Sequence, residues 1–378
     1  MEKLLPVSIF AIWMAVLSHQ RSGYDPINGV YRHKERLFYA ALSVALIALA
    51  GLRTYYNDTT TYLIGYQQLR ELPERYQNLD WLKIGDNPGF VFVQGILLQL
   101  NASDQTFLMV FSIFTVGVTL WFYRKYSCNL WLSILMFLAV SGYAFHMAAI
   151  KQCTAMAFCL IATDRAINKI YIMFVVYVLL GSLFHPYALM YLIVPFLFFR
   201  PWSKATLFMI AIFAAVGFGM ESLIGTLLNV TDMLGENYNA DSFMGEGVNP
   251  FRLLVLVVPA VLALILKDQI AENEEKDQHL ITNLAMLNAE IMFVALFGTA
   301  NYFARLANYF VPFQALAIPW LLKLFDQRGR RTMMLLVVLG YGLFFVYSQL
   351  IHESFDAGYY GVTLWAYLSE LLEGVLYK

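Results

Sequence analysis

Residues 105–123 read QTFLMVFSIFTVGVTLWFY, nineteen side chains without a charge, and the run is closed by Arg124 and Lys125. A helix that crosses a bilayer needs about 20 mostly apolar residues, so this stretch alone predicts a transmembrane segment. The rest of the chain repeats the pattern. Of its 378 residues 60% are hydrophobic, 16% aromatic and 13% charged, where soluble domains carry about 25% charged residues. Further apolar runs fall at about 4–17, 37–52, 130–147, 148–162, 170–184, 187–199, 205–223, 251–266, 281–298, 303–322 and 333–350. The expected fold is therefore all-α, a polytopic integral membrane protein of about twelve transmembrane helices forming a single multi-pass domain over 1–378. The run 89–100 is too short to span and reads as a re-entrant or interfacial helix on the outer face.

Other classes drop out quickly. A formal net charge of -1 leaves no basic patch for nucleic acid. The three cysteines, Cys128, Cys153 and Cys159, lie in or beside apolar runs and give neither a disulfide framework nor paired metal spacing. The first run has Glu2 before it and His19-Gln20-Arg21 after it, where a signal peptide has a basic start and small cleavage residues, so it reads as a retained first span.

Orientation follows from the basic residues, because positive charge in short loops resists translocation. Sixteen of the 25 Lys and Arg residues, among them Arg124, Lys125, Arg165, Lys169, Arg330 and Arg331, fall in one set of connections, which reads as cytoplasmic. Both termini are then outside, as are two long connections, 53–88 and 225–250. The second carries Asp232, Glu236, Asp241 and Glu246 between its ends and no Lys or Arg. No repeat of fixed period is visible, which weighs against transporters built from inverted repeats.

A Lys or Arg at a helix centre costs about 2.5–3.5 kcal/mol on insertion scales, so charges kept beside apolar runs need a reason. Arg53 ends the second span and is followed by Asp58 and Tyr62, which share a face if the stretch is helical. The plain alternative is a snorkelling Arg and an N-cap Asp. Lys151-Gln152 sits between two runs joined by no real loop, with His146 one turn earlier. His185 stands at an outer-side turn, and a lone membrane His is more often a packing residue than a catalyst. Arg305 is flanked by apolar residues, with Tyr302 and Tyr309 at helical spacing. All these positions fall at one membrane depth. Three cations at an outer leaflet suit a lipid-linked phosphate or pyrophosphate. A carboxylate and a His beside them can serve as general base for a sugar hydroxyl.

The succession Gly51-Leu52-Arg53, Asn57-Asp58-Thr59 and Tyr62, Lys151-Gln152 with Ala155 and Ala157, Phe184-His185 with Ala188-Leu189, and Arg305 with Tyr309-Phe310 and Pro319 resembles the EpsG branch of the Wzy-like polysaccharide polymerases. The resemblance extends over about 37–322. The family pattern has Arg-Gln where this chain has Lys151-Gln152, which keeps the charge and removes the planar fork. What the resemblance implies is a bacterial inner-membrane glycosyltransferase, acting on the periplasmic or outer face, that joins oligosaccharide repeat units carried on undecaprenyl pyrophosphate. Arg53, Lys151 and Arg305 would hold the pyrophosphate, Asp58 or His185 would activate the acceptor hydroxyl, and Tyr62, Gln152 and Tyr309 would contact substrate. No metal or other cofactor is expected, and a chain-length-regulating co-polymerase is the expected partner. The rival readings are a flippase for the same lipid-linked sugars, an O-antigen ligase or related lipid-sugar transferase, and a membrane O-acyltransferase.

Overall fold

The structure, a computed structural model, describes residues 3–20, 22–25, 30–33, 36–71, 82–220, 248–297, 300–352, 355–359 and 363–369. The acidic connection 225–250 therefore lies almost wholly outside the described residues, as do residues 72–81 of the connection 53–88. The chain divides into two compact units, Met1–Leu192 with Gly342–Lys378, and Ile193–Tyr341. Each is described by itself.

The first unit holds α1 (Leu4–Gln20), a short antiparallel ribbon of β1 (Ser22–Asp25) with β2 (Val30–His33), α2 (Arg36–Gly51), α3 (Thr59–Glu71) and α4 (Pro88–Gln99). It continues with α5 (Asp104–Tyr126), α6 (Leu130–Ala139), α7 (Gly142–Ala148), α8 (Ile150–Ile167) and α9 (Tyr171–Ser182). The opening stretch of the sequence is the centre of this unit. Helix α5 packs on α2 and α8, while α1 packs on α2 and α6 and α9 packs on α8. Its Ser103 N-cap accepts from the Thr106 amide. Buried rings pin the bundle: Tyr123 and Tyr143 each meet Phe137 in a T-shaped contact, at 5.5 and 5.8 Å, and the Tyr143 hydroxyl donates to the Leu46 carbonyl at 2.6 Å. His146 is absorbed in the same packing, bonded to Thr119 Oγ1 at 3.0 Å and to the Gly142 carbonyl at 2.8 Å.

The second unit holds α10 (Lys204–Phe218), α11 (Pro250–Leu256), α12 (Val258–Ile265), α13 (Lys267–Glu272), α14 (Lys276–Val294), α15 (Ala300–Asn308) and α16 (Val311–Lys323). Its axis is α14, which contacts α10, α11, α12, α15 and α16. The helix α17 (Gln327–Val346) is divided between the two units after Tyr341, and a π-turn, Tyr347–His352, follows it in the first unit.

The all-α expectation holds apart from the ribbon, while the described helices do not confirm about twelve full-length spans. Among the described residues two helices are long and apolar enough to cross a membrane, Asp104–Tyr126 and Gln327–Gln349, and a third span is formed if α6 and α7 count as one segment bent by 56°. The reasons are local. Ser141 takes a positive φ of 59° between α6 and α7, which breaks the 130–147 run. The run 251–266 is split into α11 and α12, and 187–199 winds as a 3-10 helix with Pro195 inside it. Helices α8 and α14 reach 18 and 19 residues, but each carries three charges. The run 89–100 is α4, whose 12 residues extend only about 18 Å.

Candidate functional site

Helix α2 ends at Gly51, and two residues later Arg53 turns back under the chain, only 1% exposed. Its Nε donates to Thr59 Oγ1 at 2.9 Å and its Nη1 to the Ala50 carbonyl, while Thr59 Oγ1 lies 3.4 Å from the Met147 carbonyl at the end of α7. These acceptors are all neutral. Among the described residues no carboxylate pairs with this guanidinium, and a buried charge without a counter-charge is costly unless something anionic joins it. Asn57, at φ 46°, supplies the left-handed residue of the turn, a conformation Asn tolerates. Asp58 follows, and its carbonyl accepts the Tyr62 amide at 3.1 Å to open α3. The Asp58 side chain itself is half-buried.

Lys151 stands in the first turn of α8, which a single non-helical residue, Ala149, separates from α7. Its Nζ lies 5.1 Å from the centre of the Phe90 ring. Phe90 in turn meets Tyr62 at 5.8 Å and Phe111 at 5.2 Å. The same short helix α4 reaches the third motif, because the Gly89 amide donates to the Leu183 carbonyl at 2.9 Å. A Cβ at Gly89 would fall 2.9 Å from Leu183 Cβ, so glycine is required for this approach. Two residues on, the His185 ring sits edge-on to Tyr187 at 4.8 Å. Helix α4 is thus the hub that gathers the Arg53–Tyr62 turn, Lys151 and the His185 turn, with Gln152 buried beside Lys151.

A segment from the far end of the chain clasps this turn. The Thr54 amide donates to the Gly358 carbonyl at 2.7 Å and the Gly358 amide to the Tyr55 carbonyl at 3.0 Å. The Tyr55 hydroxyl donates to Asp356 at 2.9 Å, the Tyr359 hydroxyl donates to the Leu49 carbonyl at 2.8 Å, and Tyr56 packs on Phe355 at 4.8 Å. A Cβ on Gly358 would overlap the Tyr55 ring, so this contact too requires glycine. Behind the clasp, Gln349 donates to Ser141 Oγ at 2.7 Å, at the bend between α6 and α7.

The opposite end of the α5–α8 pair is built on the reverse charge. Asp164, 1% exposed, accepts from Lys125 and, at 2.7 Å, from the Tyr126 hydroxyl, with Arg165 at 3.4 Å. Arg124 lies over the Tyr39 ring at 4.3 Å.

In the second unit Arg305 projects exposed from α15, whereas Tyr309 is fully buried in the turn that separates α15 from α16. The helix stops at Asn308, so Tyr309 does not continue the Arg305 face as helical spacing suggested.

The EpsG family profile matches residues 36–362. The chain belongs to the EpsG family. No curated protein and no solved structure matches it. Polysaccharide polymerisation is the activity associated with the EpsG family, and with its apolar helices this makes the chain a membrane protein of polysaccharide biosynthesis.

Of the residues expected from sequence, the EpsG fold brings Arg53, Asp58, Tyr62, Lys151, Gln152 and His185 into one unit around α4, and holds Arg305 and Tyr309 in the other. Sequence reasoning missed Phe90, Gly89, Tyr55, Asp356, Gly358 and Tyr359. The last four bridge about three hundred positions, with 301 between Tyr55 and Asp356. The only local hints were the Gly-Phe pair opening the short 89–100 run and the Asp-Ala-Gly-Tyr break after 350.

Proposed function

We propose that this protein is a polymerase that joins undecaprenyl-pyrophosphate-linked oligosaccharide units on the extracytoplasmic face of the bacterial inner membrane, its shorter apolar helices completing the crossings. The observation that carries the reading is the buried Arg53 guanidinium, hydrogen-bonded only to neutral oxygens among the described residues and set directly beneath the Asp58 turn. Such a group is an electrostatic seat for a diphosphate, strengthened by the low dielectric around it. Arg53 acts on charge and on the turn, while Lys151, a half-buried residue, makes the direct contact. Asp58, or His185 across α4, takes the proton from the acceptor hydroxyl. That oxygen bonds to the anomeric carbon of the donor sugar as the bond from this carbon to the pyrophosphate oxygen breaks, and undecaprenyl pyrophosphate leaves. Tyr62 and Gln152 line the same neighbourhood.

One observation favours the flippase reading. Glu290, in the interior of α14, has both carboxylate oxygens buried and without a partner among the described residues, as a transporter's coupling carboxylate would. Purified protein incubated with lipid-linked repeat units separates the two. A ladder of products that differ by one repeat is the expected result; transfer of the units across a vesicle membrane with no ladder would replace the polymerase with the flippase.

A further inference from the structure

A helix leaves its last four carbonyls without amides of its own, and together they act as about half an elementary negative charge. At the end of α2 all four are answered, each by a different donor. The Ala48 carbonyl accepts the Leu52 amide at 2.9 Å. The Leu49 carbonyl accepts the Tyr359 hydroxyl at 2.8 Å, the Ala50 carbonyl accepts Arg53 Nη1, and the Gly51 carbonyl accepts Gln105 Nε2 from the first turn of α5. The same Gln105 nitrogen lies 3.4 Å from the Arg53 carbonyl. Inside the helix the Tyr143 hydroxyl also reaches the Leu46 carbonyl, but that oxygen faces an amide of α2 as well.

Arg53 is the residue these donors affect. Of its five N–H groups, Nε donates to Thr59 Oγ1 and one on Nη1 to the Ala50 carbonyl, and the other three meet no acceptor among the described residues. An arginine at a helix C-terminus is drawn to the open carbonyls there. The carbonyls on either side of Ala50 are closed to it by a hydroxyl and an amide, which satisfy the oxygens without adding charge. Both donors are held in place by packing. The Tyr359 ring rests on the cluster of Leu52, Met109 and Tyr367, and a Cβ at Gly51 would fall 2.5 Å from Met109 Sδ, so the end of α2 lies directly against the helix that carries Gln105.

We propose that Tyr359 and Gln105 are positioning residues for Arg53: by closing the Leu49 and Gly51 carbonyls they keep the guanidinium from folding further onto the end of α2 and leave its charge and unused donors at the Asp58 turn. That this charge serves a lipid-linked diphosphate rests on the polymerase reading; the competition for the carbonyls does not.

The first test needs no ligand. Tyr359→Phe keeps the ring and removes the hydroxyl, and in the full-length protein Arg53 can take the Leu49 carbonyl in its place. The thermal midpoint should therefore fall by less in the wild-type background than in Arg53→Met, where no donor replaces the hydroxyl. Equal falls in the two backgrounds overturn the proposal. The second test is binding of undecaprenyl pyrophosphate to the protein in nanodiscs. Tyr359→Phe and Gln105→Leu should each weaken it by about two- to tenfold, the range of one neutral hydrogen bond, whereas Tyr143→Phe, whose acceptor keeps its helix amide, should change it less than twofold. Wild-type affinity in Tyr359→Phe and Gln105→Leu, or an equal loss in Tyr143→Phe, also overturns it. If the midpoints differ as expected while the wild type binds no lipid diphosphate and makes no product ladder, the positioning role stands and the polymerase falls; a ladder with equal midpoint falls does the reverse.

Discussion

The two ends of the α5–α8 pair bury opposite charges and treat them differently. At one end Asp164 is surrounded by Lys125, Arg165 and the Tyr126 hydroxyl, a carboxylate compensated by the protein itself. At the other, Arg53 is as deeply buried and is bonded to a hydroxyl and a carbonyl, a cation compensated by nothing of opposite sign among the described residues. A charge neutralised within the chain fixes packing and gives a substrate no handle. A charge left open keeps the field needed for an anionic ligand, at the expense of stability.

That contrast breaks most readily at Arg53. Arg53→Met keeps length and removes the charge, and should lower polymer formation at least a hundredfold, the upper end of about 3 kcal/mol for a charged hydrogen bond, while the thermal transition in detergent stays level or rises. A fall in stability with activity per folded molecule intact would make the two ends alike. Asp164→Ala should do the opposite. Removing the partner of buried charges costs about 3 kcal/mol or somewhat less where the cations reach water, read by chemical denaturation, and the surviving folded protein should polymerise at the normal rate. Lys151 sharpens the comparison from the rim of the site. Lys151→Gln should reduce product ladders by about ten- to a hundredfold, and Lys151→Arg should keep substantial activity, because charge and not bulk is what the residue held over the Phe90 ring supplies. The smallest effect is expected from Gly358→Ala, where an added methyl against the Tyr55 ring costs about 1–3 kcal/mol, seen as a lower transition midpoint together with reduced polymer. A normal midpoint would detach the C-terminal clasp from the Arg53 turn.

How much of this was legible in the sequence depends on the kind of residue. Charges that interrupt apolar runs are conspicuous, so Arg53, Lys151, His185 and Arg305 stood out without any structure. Their supports did not. Phe90 is one phenylalanine among 30, and nothing local distinguishes the ring under Lys151 from those that only fill the bundle. Arg252 was visible as a charge, but its hydrogen bond to Asn308, 56 positions away, was not. The interruptions of the apolar runs were hidden for a related reason: hydropathy averages over a run, whereas the break at Ser141 is a backbone event in one residue of a Val-Ser-Gly sequence that stays apolar on both sides. Glycines 89 and 358 look like turn residues in sequence, and only close approach shows why a methyl group is excluded.

The clasp between Tyr55 and Gly358 also sets a timetable. Ribosomes add about 5–20 residues per second, so the 301 positions between Tyr55 and Asp356 mean that the Arg53 turn emerges about 15–60 s before the strand that covers it. During that interval the Arg53 turn lacks the contacts from residues 355–359, and premature termination anywhere before residue 355 leaves it without them. Synthesis of residues 355–359 is thus the step that completes the packing of the Arg53 turn.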